Sequence, residues 1–164
     1  MLVSTPASSE DVRAIENLVV EFAYRVDFES GMTVSELFCA DGCYELDGQR
    51  STGRPDIKAA YEKRAAMGPR TARHIFTNLR VRPLGNRDYQ GSSIMLLSAE
   101  DEVPPLPATP LQVADVVDHY CFQDGRPLLR SRTLTSIFLC PGSSTVLPLG
   151  QETAELGSGS FRDA

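Results

Sequence analysis

At Gly68-Pro69 the chain changes its hydrophobic period, and that change decides the class of fold open to it. Upstream, Val12, Ile15, Val19, Phe22 and Val26 recur in steps of three and four, the spacing of one helix face. Downstream, four segments rich in Val, Ile, Leu, Thr, Phe and Tyr read as strands, at residues 71–82, 88–99, 111–123 and 126–139. Helices first and meandering strands later give an α+β domain, with helices packed on one face of a curved antiparallel sheet.

Local signals place the boundaries. Ser8 followed by Asp11 caps the first helix, and Gly31 ends it. A short second helix is expected over residues 33–38, and Asp41-Gly42 turns the chain into a strand around residues 43–47. Pro55 opens a third helix in the first turn, where its missing N–H costs nothing. Ile57, Ala60, Tyr61 and Arg64 carry that helix to the Gly68-Pro69 stop. Asp124-Gly125 is a tight-hairpin signal. Residues 100–110 hold four prolines, a stiff loop that either covers a pocket mouth or simply links two strands. The domain is expected over residues 9–140, between a polar tail at 1–8 and a Ser/Gly/Thr-rich tail at 141–164 that is mobile or lies along a partner subunit.

Length and charge exclude several classes. At 164 residues there is room for one domain of ordinary size. A net charge of −6 argues against nucleic-acid or anionic-membrane partners, which need clustered positive charge. Arg64, Arg70, Arg73, Arg80, Arg82 and Arg87 read as a solvated rim spread over a helix end and a strand. No apolar run approaches the ~18 residues of a membrane span, and the first ten residues are polar, so a cytoplasmic protein without a secretory signal is expected. Cys39, Cys43, Cys121 and Cys140 read as free thiols; Cys39 and Cys43 alone make only half a zinc site. With no glycine-rich phosphate loop and no convincing metal cluster, no cofactor is expected.

Two side chains carry the chemistry. Asp27 lies near the end of the first helix at the border of its apolar stripe, where a carboxylate can look into a cavity. His74 shares one strand face with Ala72, Phe76 and Asn78, and histidine is the side chain suited to proton transfer near neutrality. Tyr24, Tyr44 and Tyr120 are possible hydroxyl donors to a substrate, and Asn78 a possible ligand anchor.

The run TGRPDIKAAYEKRAAMGPRTARHIFTNLRV, residues 52–81, resembles the SnoaL-like branch of the scytalone dehydratase and ketosteroid isomerase (nuclear-transport-factor-2-like) superfamily. FAYRVDFESGMTVSELFCADGCYELDG (22–48) is similar to that family's first helices and entry to its first strand, and VVDHYCFQDGRPLLRSRTL (116–134) to its penultimate strand and hairpin. The resemblance covers roughly residues 9–139. It implies a cone, a bent mixed or antiparallel sheet wrapped around about three N-terminal helices in a cystatin-like architecture, with a cavity open at one end. It also implies that Asp27 orients His74, the general acid and base of a dehydration.

Departures from the family narrow the reaction. Ser93 stands where scytalone dehydratase carries a second His, and a serine can hold a water or a hydroxyl but cannot share a proton. Leu46 and Phe22 replace the base and the oxyanion-hole Tyr of ketosteroid isomerases, which argues against steroid isomerisation by that route. Asp118 matches the protonated oxyanion-hole acid of those isomerases; a carboxyl desolvated beside Val116 and Tyr120 could donate a hydrogen bond, whereas one facing solvent or an arginine could not. Arg132 matches an arginine of bile-acid dehydratases. With a regular two-residue hairpin at Asp124-Gly125, Asp118 faces Ser131 and Arg132 points the other way, so only a bulge brings both inward.

The expected function is a cofactor-independent lyase or isomerase for a small, hydrophobic, oxygenated molecule of polyketide, steroid or terpenoid type. Asp27, His74 and Asp118 would be catalytic, with Tyr24, Tyr44, Phe76, Asn78, Ser93, Tyr120 and Arg132 around the substrate. The alternative is a non-catalytic binding or assembly module, such as a ring-hydroxylating dioxygenase small subunit. Ile75, Leu79 and Val81 on the second face of the sheet suggest a homodimer.

Overall fold

A computed structural model describes residues 7–141. The C-terminal tail expected from Pro141 onward lies, apart from that residue, outside the described residues. Helix α1, Ser9–Phe28, starts where the Ser8 hydroxyl accepts from the Asp11 amide at 3.0 Å, and it buries Ile15, Leu18, Val19 and Phe22. It stops because Ser30 and Gly31 take left-handed conformations, φ 55° and 71°, and the Gly31 amide returns to the Arg25 carbonyl at 2.8 Å. In place of the expected short second helix there is a single 3-10 turn, Val34–Leu37. Helix α2, Arg54–Ala66, has Pro55 in its first turn and turns Ile57, Ala60, Tyr61 and Arg64 inward.

Six strands form one mixed sheet: β1 (Phe38–Leu46), β2 (Gln49–Thr52), β3 (Thr71–Gly85), β4 (Asp88–Glu100), β5 (Gln112–Gln123) and β6 (Arg126–Leu139). Their order is β2-β1-β6-β5-β4-β3, antiparallel throughout except that β1 runs parallel to β6. The four long strands match the period-two segments. The short edge strand β2 has no sequence signal of its own; it forms because Asp47 and Gly48, both at positive φ, fold β1 back on itself.

Two bulges redirect side chains. In β3 the register slips between Thr77 and Arg80, with Asn78 at φ 56°. Alternation reverses there, so Leu79 and Val81 pack on the core while Asn78 is exposed. The expected face of Ile75, Leu79 and Val81 is corrected accordingly. The outer apolar row is Ile75, Leu96, Val113 and Phe138, aligned across β3, β4, β5 and β6. In the β5–β6 hairpin, His119 pairs with Ser131 but Tyr120 with Leu129, leaving Arg130 extra. That is the bulge that lets Asp118 and Arg132 both point inward.

The core is centred on Phe22, whose ring packs edge-on against Phe38, Tyr44 and Phe76 at centroid separations of 6.4, 6.0 and 6.1 Å. Cys39 and Cys121 are buried with their sulfurs 2.6 Å apart, and burial, followed by contact with Cys121, pushes the Cys39 thiol up to about 12. Among the described residues no helix is long and apolar enough to cross a membrane.

Gly31 is fixed by more than its φ. A Cβ built there would overlap the Tyr61 ring, which lies directly on it. Gly31→Ala is expected to lose about 2–4 kcal/mol, from left-handed strain plus overpacking. Urea unfolding checks this, and a loss under about 1 kcal/mol would show that Tyr61 can move aside freely.

Candidate active site

The end of α1 and the start of β3 meet at one point. Because β3 is the edge of the sheet, the side facing α1 has no ladder partner. Asp27 fills that vacancy: Oδ2 accepts the His74 amide at 2.8 Å and Oδ1 meets the ring Nδ1 at 2.6 Å. The two side chains are only 5% and 13% exposed. A carboxylate near a helix C-terminus opposes the helix dipole, and these two donors compensate it. As a carboxylate oxygen can only accept, Nδ1 carries a proton, and in the neutral ring the lone pair is on Nε2.

Asp27 and His74 line a cavity of about 320 Å³, at the small end of the range for ligand pockets. Its apolar wall is Val26, Ala65, Ala72 and Leu97; its polar groups include Tyr44, Tyr61, Arg64 and Arg70. Tyr44 and Tyr61 stack at 6.5 Å and 13°. Burial raises both phenols above the ordinary range, Tyr61 the more, with Tyr44 beside it adding to the effect. Both therefore stay protonated at any physiological pH.

Of the residues expected from the sequence, Asp27, His74 and Tyr44 line the cavity. Tyr24 does not: it is 52% exposed and packs on Phe28. Asn78 is turned outward by the β3 bulge. Phe76 is absorbed by the core, against Phe22 and the Arg132 guanidinium. Ser93 is buried where β4 faces Val116 of β5, outside the cavity lining.

Asp118, Tyr120 and Arg132 form a separate buried cluster. Arg132 Nε and Nη2 donate to the two Asp118 oxygens at 2.8 and 2.7 Å, and the Tyr120 hydroxyl donates to Oδ2 at 2.7 Å. The expectation of Asp118 as an oxyanion-stabilising acid is corrected: both its oxygens accept bonds from within the fold, and it lines no part of the cavity. The Arg132 guanidinium lies over Phe22 at 4.0 Å and over Phe76 at 4.8 Å. Burial pulls Arg132 down, but the Asp118 charge and hydrogen bonds more than offset it and hold the group cationic.

Tyr61, Arg64 and Arg70 are not among the site residues expected from the sequence. Tyr61 and Arg64 fall on the inner stripe of the third helix, where they register only as its periodicity. The solvated-rim reading of the arginines is corrected for Arg64, whose residue is 8% exposed, and for Arg70, both of which line the cavity. The proline-rich loop reaches the cavity mouth, because its Asp101 pairs with both arginines.

Residues 7–133 match a family described as the SnoaL-like domain. Several solved structures share the fold. Aln2 from a Streptomyces species is 18% identical, with 80% of this chain and 94% of that chain covered at a TM-score of 0.72. A candidate scytalone dehydratase from Novosphingobium aromaticivorans is 16% identical, with 90% and 95% covered at 0.71. A nuclear-transport-factor-2-like protein with a cystatin-like fold from the same organism is 19% identical, with 82% and 85% covered at 0.65. No curated protein matches the chain in sequence.

Proposed function

The chain belongs to the SnoaL-like domain family, and on that footing we propose that it is a cofactor-independent lyase for a small hydrophobic hydroxy-ketone. The observation that carries this reading is the two-point grip of Asp27 on His74 at the wall of a cavity open at one side. His74 Nε2 removes a proton α to the substrate carbonyl, and Tyr44 or Tyr61 donates a hydrogen bond to the developing enolate oxygen. The enolate then expels the β-hydroxyl, which leaves as water with the proton held on Nε2. One C–H and one C–O bond break, one C=C bond forms, and the imidazole returns to its starting state. An isomerase would use the same first step and return the proton to another carbon. The dehydratase form is favoured by the likeness to the candidate scytalone dehydratase.

A panel of polycyclic β-hydroxy ketones, followed by mass spectrometry, tests this. Loss of one water at a rate at least ~10²-fold above buffer is expected for some members. If members bind but none is dehydrated or exchanges its α-proton with D₂O, the lyase reading fails. The ligand-carrier reading then stands, and one observation already favours it: Ser93 brings no second acid to the cavity.

A homodimer is part of the same proposal. The row Ile75, Leu96, Val113 and Phe138 presents apolar surface on the outer face of the sheet, with Ile75 58% and Phe138 69% exposed. Light scattering should give twice the mass of the chain, falling to one chain in Ile75→Asp/Phe138→Asp; a monomeric wild type rules the dimer out.

A further inference from the structure

Two arginines at the cavity are served by one loop carboxylate. Arg64 Nη2 and Arg70 Nη1, the latter at 3.0 Å, both donate to the same atom, Oδ1 of Asp101. The arginine side chains are 10% and 20% exposed, whereas Asp101 is 58% exposed, at the head of the proline-rich loop. Arg64 Nη1 is buried with no hydrogen-bond partner at all. Asp27, the carboxylate in the cavity lining, is committed to His74 through both oxygens. Glu100, next to Asp101, is exposed and acts on Arg70 only through space.

A buried guanidinium with an unmet donor is costly; Arg132 Nη1 is another, but it lies in the core, whereas Arg64 lines a cavity that a ligand can enter. Here two guanidinium groups share one hydrogen-bonded carboxylate oxygen, and Arg64 keeps a donor to spare. Burial, and after it the like charge of Arg64, lower Arg70 in spite of Asp101 and Glu100. A planar guanidinium pair arranged around one carboxylate oxygen matches a monoanionic carboxylate in both shape and charge. Asp101 already occupies that role from within the chain, held on an exposed loop from which it can be displaced.

We propose that Arg64 and Arg70 anchor the carboxylate of a hydrophobic, aromatic or polycyclic acid, which takes the place of Asp101 in the cavity that His74 lines. This deepens the reading of the cavity as a ligand site, and it is independent of whether His74 moves protons. The ligand would enter with its acid group toward α2 and the proline-rich loop, and its apolar body against Val26, Ala72 and Leu97.

Calorimetric titration with a matched pair of probes, naphthalene-2-carboxylate and naphthalene-2-carboxamide, tests the assignment. The acid is expected to bind about 10- to 100-fold more tightly than the amide, the range of a charge-assisted bond. Arg64→Gln, or Arg70→Gln if the buried change disturbs folding, should remove the preference, weakening the acid far more than the amide. Asp101→Asn, on an exposed residue, should tighten the acid alone. Equal affinity for acid and amide, binding of neither, or a preference that survives both arginine replacements overturns the inference. His74→Asn keeps the two questions apart. Acid preference retained there without turnover supports the anchor whatever His74 does, and preference lost there assigns the anion site to the imidazole and overturns the proposal.

Discussion

Arg132→Met is expected to cost about 3–5 kcal/mol, a large share of the ~5–15 kcal/mol that holds a domain of this kind together. The reason lies in what remains after the change. Asp118 would be left with its charge 2% exposed and only the Tyr120 hydroxyl as a partner. The guanidinium also packs over the Phe22 and Phe76 rings, but methionine is long and apolar enough to keep most of that packing. Nη1 of Arg132 has no partner in the native state, so the pair contributes less to stability than its two short bonds suggest. Asp118→Leu/Arg132→Met should therefore recover much of the loss, limited mainly by the orphaned Tyr120 hydroxyl. Urea denaturation of the two singles and the double closes the cycle. A double variant no more stable than the singles would show that the ion pair is not the source of the loss.

The second large effect follows from the proposed lyase chemistry. His74→Asn and Asp27→Asn are each expected to lower kcat by about 10²–10⁴, for different reasons. The first removes the proposed proton carrier. The second leaves a carbonyl oxygen able to hold the His74 amide, but its NH₂ can donate to Nδ1 and so favours the tautomer with the proton on Nε2, which cannot act as base. Nitrogen NMR shifts of the His74 ring distinguish the cases: Asp27→Asn should invert the two ring signals while the fold is retained. His119 provides the reference, since its ring is held by Ser131 at 3.0 Å and lies away from the cavity. An Asp27→Asn protein of normal activity would remove Asp27 from the mechanism.

These two residues are legible in the sequence because each obeys a local rule. A helix stripe is visible in its period, and a histidine on an alternating strand face is visible in its neighbours. The four long strands are legible for the same reason. Residues whose orientation depends on an inserted position are harder to read. Strict alternation puts Asn78 beside His74, and one bulge reverses that. Asp118 and Arg132 are irreconcilable without a bulge, and Arg130 supplies one. Neither bulge is marked by Gly or Pro. Tyr61 and Arg64 illustrate a different gap: a helical period shows that a face is buried, but not whether it meets core or cavity. Arg64 is the available clue, a charged residue in register with Ile57, Ala60 and Tyr61 on the inner stripe of α2.

The parallel pairing of β1 with β6 has a kinetic consequence. β1 carries Tyr44, yet its long partner is the last strand of the sheet, so their contact is among the most distant in the chain. Loop-closure entropy must be overcome before that contact returns any stabilisation, which places it late in folding and after most of the domain has left the ribosome. Asp27 and His74 can meet through α1 and β3 well before then. The Asp27–His74 pair can thus form early in an open groove, and the Tyr44 wall of the cavity is added when β1 pairs with β6. A nascent chain would join Asp27 to His74 before it had the finished pocket around them.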